Sequence, residues 1–234
     1  MSNEQVRAVS VWPGSLRLLH LLMASSVIIL ILTGVLMHSG MILNEQLYQH
    51  LLTVWHLPAG HVLAGVLLVR VLLLLFKKDV TGWQALLPAS LNEVVQVAVF
   101  YLSLGRMNLP GYYAHNPLWK PVYLVWFLLL GVQVFNGLLL EFAWLRSVLH
   151  TDSASALSAH QSLLTVLLVL TVLHLITALL HDWKSPNAGI SAMINGVRYF
   201  TVEHSNTANS GGLEKIQTSA VSLNDLLNTK PEKK

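Results

Sequence analysis

The 234-residue chain contains no cysteine. That excludes disulfides, iron–sulfur clusters, thiolate metal sites and covalent C-x-x-C-H haem attachment. Charge is scarce as well. Asp, Glu, Lys and Arg make up 11% of the residues, against roughly 25% in an ordinary soluble domain. A further 54% are hydrophobic, and they are gathered in runs long enough to cross a bilayer. A soluble α/β enzyme is therefore excluded. The 11 histidines equal the 11 acidic residues in number, which is unusual for a chain this apolar.

Four stretches reach the length of about 20 mainly apolar residues that a spanning helix needs. They run from Leu18 to Met37, Trp55 to Phe76, Val122 to Trp144 and His160 to His181. The first is too long for a signal-peptide core and lacks a small-residue cleavage site, so it reads as retained. A fifth stretch, Ala89 to Leu104, contains Asn92, Glu93 and Gln96 and would span only about 24 Å as a helix. It reads as an interfacial helix between spans 2 and 3.

Basic residues agree with that count. Arg7 and Arg17 precede the first span, Lys77, Lys78, Arg106 and Lys120 follow the second, and Lys184 and Arg198 follow the fourth. The loop after the first span has no Lys or Arg, and the loop after the third has only Arg146. Positive residues stay inside, so both termini are expected in the cytoplasm. The expected fold is an all-α membrane protein, a four-transmembrane-helix bundle. Residues from Thr201 onward lack an apolar pattern and read as a flexible tail.

Ionisable side chains inside a span point to function. His20 lies early in the first span, His56 and His61 early in the second, and His160 and His174 in the fourth. The fourteen residues between His160 and His174 are close to four turns, about 21 Å along one face. Depth then pairs His20 with His174 near the inner face and His56 with His160 near the outer face. Two facing histidines without a carboxylate or thiolate suit haem iron better than zinc, which takes four ligands. Bis-histidine ligation leaves no open iron position, so the chemistry is electron transfer. A bundle enclosing two b-haems is the expected architecture.

Other residues fit the same scheme. Gly34 lies fourteen residues after His20 and Gly60 one turn after His56; each suits either close approach of a ring or helix–helix packing. Arg70, fourteen residues after His56, and Arg17, one turn before His20, suit the propionates of the inner haem or snorkelling to the interface. His61 points away from His56 and is the alternative second-span ligand. His181, seven residues after His174, lies at the inner boundary and suits contact with a propionate or a quinone. His38, His50, His115, His150 and His204 read as surface histidines. A haem-free transporter or scaffold using histidine and Glu141 as proton or metal sites is the reading from a different class.

Several segments carry a resemblance. Arg17-Leu18-Leu19-His20 with Thr33-Gly34, His56 with Ala59-Gly60 and Arg70, His115-Asn116-Pro117-Leu118, the His160–His174 spacing, and Ile190 to Arg198 together resemble the b-type cytochrome subunit of membrane-bound nickel–iron hydrogenases. That subunit sits within the bacterial four-helix di-haem cytochrome b family. The likeness covers about residues 16 to 200. Leu21 and Ile176 stand where the family often has an aromatic residue and a tyrosine.

The resemblance implies a di-haem domain over residues 1–200, with 201–234 as a cytoplasmic tail, in the bacterial inner membrane. It implies that His20 and His174 ligate the inner haem iron and His56 and His160 the outer one. The subunit would anchor a hydrogenase-like peripheral oxidoreductase, with its small and large subunits, and pass electrons through both haems to a membrane quinone near His174, His181 and Asp182. The same four ligands would serve another partner, such as formate dehydrogenase, thiosulfate reductase or a cytochrome c. No soluble-substrate catalysis by this chain alone and no nucleic acid are implied.

Overall fold

The computed structural model of the chain describes residues 4–107, 111–184 and 189–203. The chain divides into two compact units. One holds residues 15–84 and 122–176; the other holds residues 1–14, 85–121 and 177–234.

The first unit is a helix bundle. Helix α1 covers Gly14–His38. Helix α2, Glu45–His50, runs through a π-helical turn at Leu51–His56 into α3, Leu57–Phe76. Helix α5 covers Trp119–Glu141 and α7 covers Ser153–Lys184. These make four helical stretches long and apolar enough to cross a membrane, as the sequence implied. They are apolar on both faces. Val27, Leu63, Leu67, Leu130 and Leu167 are buried together at the centre, while Leu21, Leu68, Leu128 and Ile176 are exposed. That all-round pattern belongs to a helix whose outer face meets lipid.

The π-turn has a local cause. Pro58 lacks an N–H and its ring crowds the carbonyl four residues back. The hydrogen bonding shifts to accommodate it, and Leu57 N–H donates to the Leu52 carbonyl, five residues back. Such an insertion rotates the segment before it relative to the segment after it. His56 ends the turn.

After α3 the chain reverses sharply. The Asp79 carboxylate accepts from Thr81 N–H at 2.8 Å and from the Thr81 hydroxyl at 2.5 Å. Gly82 passes so close to Lys77 that a Cβ there would lie 2.1 Å from the Lys77 carbonyl oxygen.

The third span ends earlier than expected. Phe142 is extended, at φ −103° and ψ 102°, so Trp144 belongs to a separate helix, α6, Ala143–Val148. Arg146 Nη1 donates to the carbonyls of Leu139 and Leu140. It thereby satisfies acceptors that the end of α5 leaves open.

The second unit contains a feature the sequence reading missed. Strand β1, Glu4–Ser10, pairs antiparallel with β2, Val197–Glu203, in the register Val6↔Thr201 and Ala8↔Tyr199. The pairing continues as Val11 and Trp12 N–H both donate to the Gly196 carbonyl. Thr201–Glu203 thus belong to a strand rather than to the expected tail; residues 204–234 lie outside the described residues. Helix α4, Leu91–Leu102, takes the place of the short fifth stretch and is capped by the Ser90 side chain, which accepts from Glu93 N–H. Phe100, Val97, Leu86, Ala192 and Phe200 are its unit's most buried apolar residues. Helix α8, Gly189–Asn195, precedes β2.

Candidate haem site

A seven-residue rhythm organises the bundle. The sequence places His20, Val27 and Gly34 on α1, His56 at the end of the π-turn with Leu63 and Arg70 on α3, Tyr123, Leu130 and Gly137 on α5, and His160, Leu167 and His174 on α7. The four middle residues are members of the buried central cluster. Seven residues are nearly two turns, about 10.5 Å. A layer of Val27, Leu63, Leu130 and Leu167 therefore separates one group of imidazoles from the other.

On one side of that layer His56 and His160 face each other, with ring centroids 6.1 Å apart and planes at 69°. The tautomer of His56 follows from its neighbours. Thr33 Oγ1 donates its single proton to the Ile29 carbonyl at 2.7 Å and lies 2.8 Å from His56 Nδ1. With that proton on the Ile29 carbonyl, Oγ1 is placed to accept from Nδ1–H, the tautomer that leaves the Nε2 lone pair for a metal. His160 has a buried Nδ1 with no hydrogen-bond partner among the described residues. Its backbone carbonyl accepts from Gln133 Nε2 at 3.1 Å.

Both rings lie against glycines. A Cβ at Gly34 would stand 3.8 Å from His56 Cε1 and 3.5 Å from Leu164 Cδ1; one at Gly137 would stand 3.5 Å from His160 Cε1. Neither glycine places a side chain against these rings. Among the described residues no three His, Cys, Asp or Glu side chains gather around one point. An imidazole pair without further protein ligands fits a group that brings its own equatorial nitrogens.

On the other side of the layer, His20 is the electrostatic neighbour of His174. The His174 ring meets the edges of Tyr123 and Trp126, at 6.0 and 5.5 Å between centroids. Arg70 is 4% exposed. Its Nη1 donates to the Thr81 carbonyl at 2.7 Å, and its guanidinium lies 5.2 Å over the Phe127 ring. Arg17 is half-buried on α1. A Cβ at Gly60 would stand 3.9 Å from Leu30 Cδ2.

His61 takes no part in the pair. Its Nε2 lies 3.0 Å from Glu141 Oε2, with half of its side chain exposed. The same contact occupies Glu141. His56 is the second-span histidine that faces His160.

A family model for prokaryotic cytochrome b561 matches residues 11–196. The chain belongs to this family. It is a b-type cytochrome of the membrane, a carrier of electrons that binds haem. No curated protein and no solved structure matches the chain. In a cytochrome b561, intramembrane histidines are the residues to examine first as haem ligands.

Sequence reasoning missed Thr33 as the partner of His56, and Gln133, Gly137, Tyr123 and Trp126 on α5. The signal for the α5 set was present: Tyr123, Trp126, Leu130, Gln133 and Gly137 are spaced 3, 4, 3 and 4, one helical stripe. It lacks a histidine, so nothing in the stripe itself names a cofactor.

Proposed function

We propose that this cytochrome b561 holds two b-haems and carries electrons from a peripheral oxidoreductase, a nickel–iron hydrogenase in the first instance, to a membrane quinone. The carrying observation is the His56–His160 pair, with its 6.1 Å spacing and Thr33 Oγ1 2.8 Å from His56 Nδ1. His56 and His160 ligate the outer iron, and His20 and His174 the inner one. Gly34 and Gly137 leave room for the outer ring. Arg70, oriented by Thr81, and Arg17 offer positive charge to propionates of the inner haem. Haem supplies one-electron redox chemistry at each site; the chain fixes axial ligands and excludes water.

The orientation follows from the basic loops, with both termini in the cytoplasm of a bacterial cell and the chain multi-pass in its inner membrane. Residues 1–200 form the di-haem domain. The chain accepts electrons at the outer site and delivers them at the inner one, where quinone binds near His174. Leu21 and Ile176, which depart from the hydrogenase-type pattern, favour a second reading in which formate dehydrogenase, thiosulfate reductase or a cytochrome c is the partner.

The test is a redox titration of the purified protein with haem quantitation. Two haems per chain and two midpoints are expected, together with reoxidation by a quinone. An absent α-band after dithionite would overturn the haem assignment, and one haem per chain would overturn the pairing.

A finer prediction concerns Thr33. Replacing it with valine removes the acceptor of His56 Nδ1–H and makes the imidazole a poorer donor to ferric iron. The outer midpoint should rise by up to about 60 mV, the equivalent of a tenfold change in relative ligation. An unchanged pair of midpoints in Thr33→Val would exclude the proposed ligand orientation.

A further inference from the structure

The two histidines of the outer pair are furnished unequally. Thr33 Oγ1 lies 2.8 Å from His56 Nδ1. His160 Nδ1 is buried with no hydrogen-bond partner among the described residues. Gln133 Oε1, on α5, is in the same condition with the opposite chemistry: a buried acceptor with no donor among the described residues.

The two side chains are already joined through the backbone. Gln133 Nε2 donates to the His160 carbonyl at 3.1 Å. That contact settles the orientation of the carboxamide. A carbonyl can only accept, so the amide nitrogen must face it and Oε1 is the end left over. The His160 ring turns its Nδ1–Cε1 edge to the same helix. A Cβ at Gly137 would stand 3.9 Å from Nδ1 and 3.5 Å from Cε1. Gln133 and Gly137 are four residues apart on α5 and share one face. The carboxamide and the imidazole edge therefore meet the same strip of α5, one turn apart.

Helix packing does not account for this arrangement. A tie to the His160 carbonyl needs only the amide N–H. An aliphatic side chain would fill the space without burying an oxygen that finds no donor, and such oxygens are costly and rare. A histidine that ligates a metal through Nε2 has its proton on Nδ1, and that N–H is ordinarily given to a carboxylate, a carbonyl or water. His160 Nδ1 needs an acceptor in that state, and Gln133 Oε1 needs a donor. The torsion that reorients the amide is a soft one, since a terminal carboxamide turns in a broad, roughly two-fold well.

We propose that Gln133 is the positioning residue of His160, its Oε1 accepting the Nδ1 proton when Nε2 faces the outer iron. The inference rests on the reading of His160 as an outer-haem ligand given above. Turning the amide exchanges its bond to the His160 carbonyl for a bond to the His160 ring. The ring is then held against rotation about Cβ–Cγ, and its Nε2 becomes the stronger donor. Thr33 stands in the same relation to His56. Each outer ligand thus has one side-chain acceptor from a neighbouring helix, α1 for His56 and α5 for His160.

The experiment uses the haem-loaded, full-length protein in lipid nanodiscs. Pyridine haemochrome assay gives haem content, and a redox titration gives both midpoints. Two variants separate an acceptor from a tie. Gln133→Leu removes both ends of the amide. Gln133→Glu keeps an oxygen in the place of Oε1 and loses the amide N–H that binds the His160 carbonyl. Gln133→Leu should raise the outer midpoint by about a tenfold change in relative ligation of ferric and ferrous iron, the lower end of such effects. That is about 60 mV for one electron. The inner midpoint should not move. Gln133→Glu should titrate at or below the wild-type outer midpoint. Loss of the outer haem from Gln133→Leu, with Gln133→Glu retaining it, is the same result in stronger form. A merely structural tie predicts instead that Gln133→Glu follows Gln133→Leu. An outer midpoint raised in both variants, outer haem lost from both, or no change in Gln133→Leu overturns the proposal and leaves the ligand assignment standing. A His160→Ala protein that keeps both haems removes the ligand assignment itself.

Discussion

Replacing His160 with alanine is expected to halve the haem content and leave the remaining α-band and midpoint as they are. The expectation follows from the separation of the two imidazole groups. His160 faces His56 across 6.1 Å, and the layer of Val27, Leu63, Leu130 and Leu167 lies between that pair and His174. An axial histidine replaced by a methyl leaves iron with one protein ligand and a cavity beside Gly137, whose would-be Cβ is 3.5 Å from the lost ring. On the proposed pairing the inner haem would keep His20 and His174, and His174 its contacts with Tyr123 and Trp126. Loss of the inner haem alone would reverse the pairing. His61→Gln is the matched control, because His61 spends its Nε2 on Glu141 at 3.0 Å; it should retain both haems. Pyridine haemochrome assay and a redox titration read both outcomes.

Gly82→Ala should be the most destabilising methyl that the chain can receive in a described loop. Its Cβ would lie 2.1 Å from the Lys77 carbonyl oxygen and 2.9 Å from the carbonyl carbon. Both are backbone atoms, so no side-chain rotation relieves the clash and the turn must open. That turn presents the Thr81 carbonyl to Arg70 Nη1 at 2.7 Å. Once it opens, a guanidinium that is 4% exposed loses its acceptor. A hydrogen bond to a charged group contributes about 1.5–3 kcal/mol. For a chain of this size, a loss of about 3 kcal/mol corresponds to roughly 6–12 °C in Tm. The Soret band followed on heating measures it. Thr81→Val is the milder comparison, since it removes the hydroxyl bond to Asp79 and keeps the carbonyl. A Gly82→Ala melting point equal to that of wild type would mean that the turn does not hold Arg70.

That His56 and His160 would face each other was legible because a helix converts sequence spacing into direction. Fourteen residues from His160 to His174, or from His20 to Gly34, fix a face before any packing is known. Thr33 was out of reach by that route. It sits beside Gly34 in sequence, but its partner is His56, twenty-three residues away on another helix. The stripe on α5 was readable as a face and silent about what it faced. The span ends were less secure. Apolarity carries on through Phe142 and Trp144, while the helix stops at Glu141 because Phe142 is extended. The β1–β2 pair had no local signal at all. Its strands are seven residues each, neither alternates clearly, and the partners stand at far ends of the sequence.

That pairing bears on how the protein is made. Glu4 pairs with Glu203 and Ser10 with Val197, so β1 leaves the ribosome with every spanning helix still to be synthesised. Contacts between such distant segments form only after the entropy of the intervening loop has been overcome. Insertion of the helices does that in advance, by tethering both strands before either can search for the other. The sheet is then a closing stitch. It can form only after residues 197–203 have been synthesised.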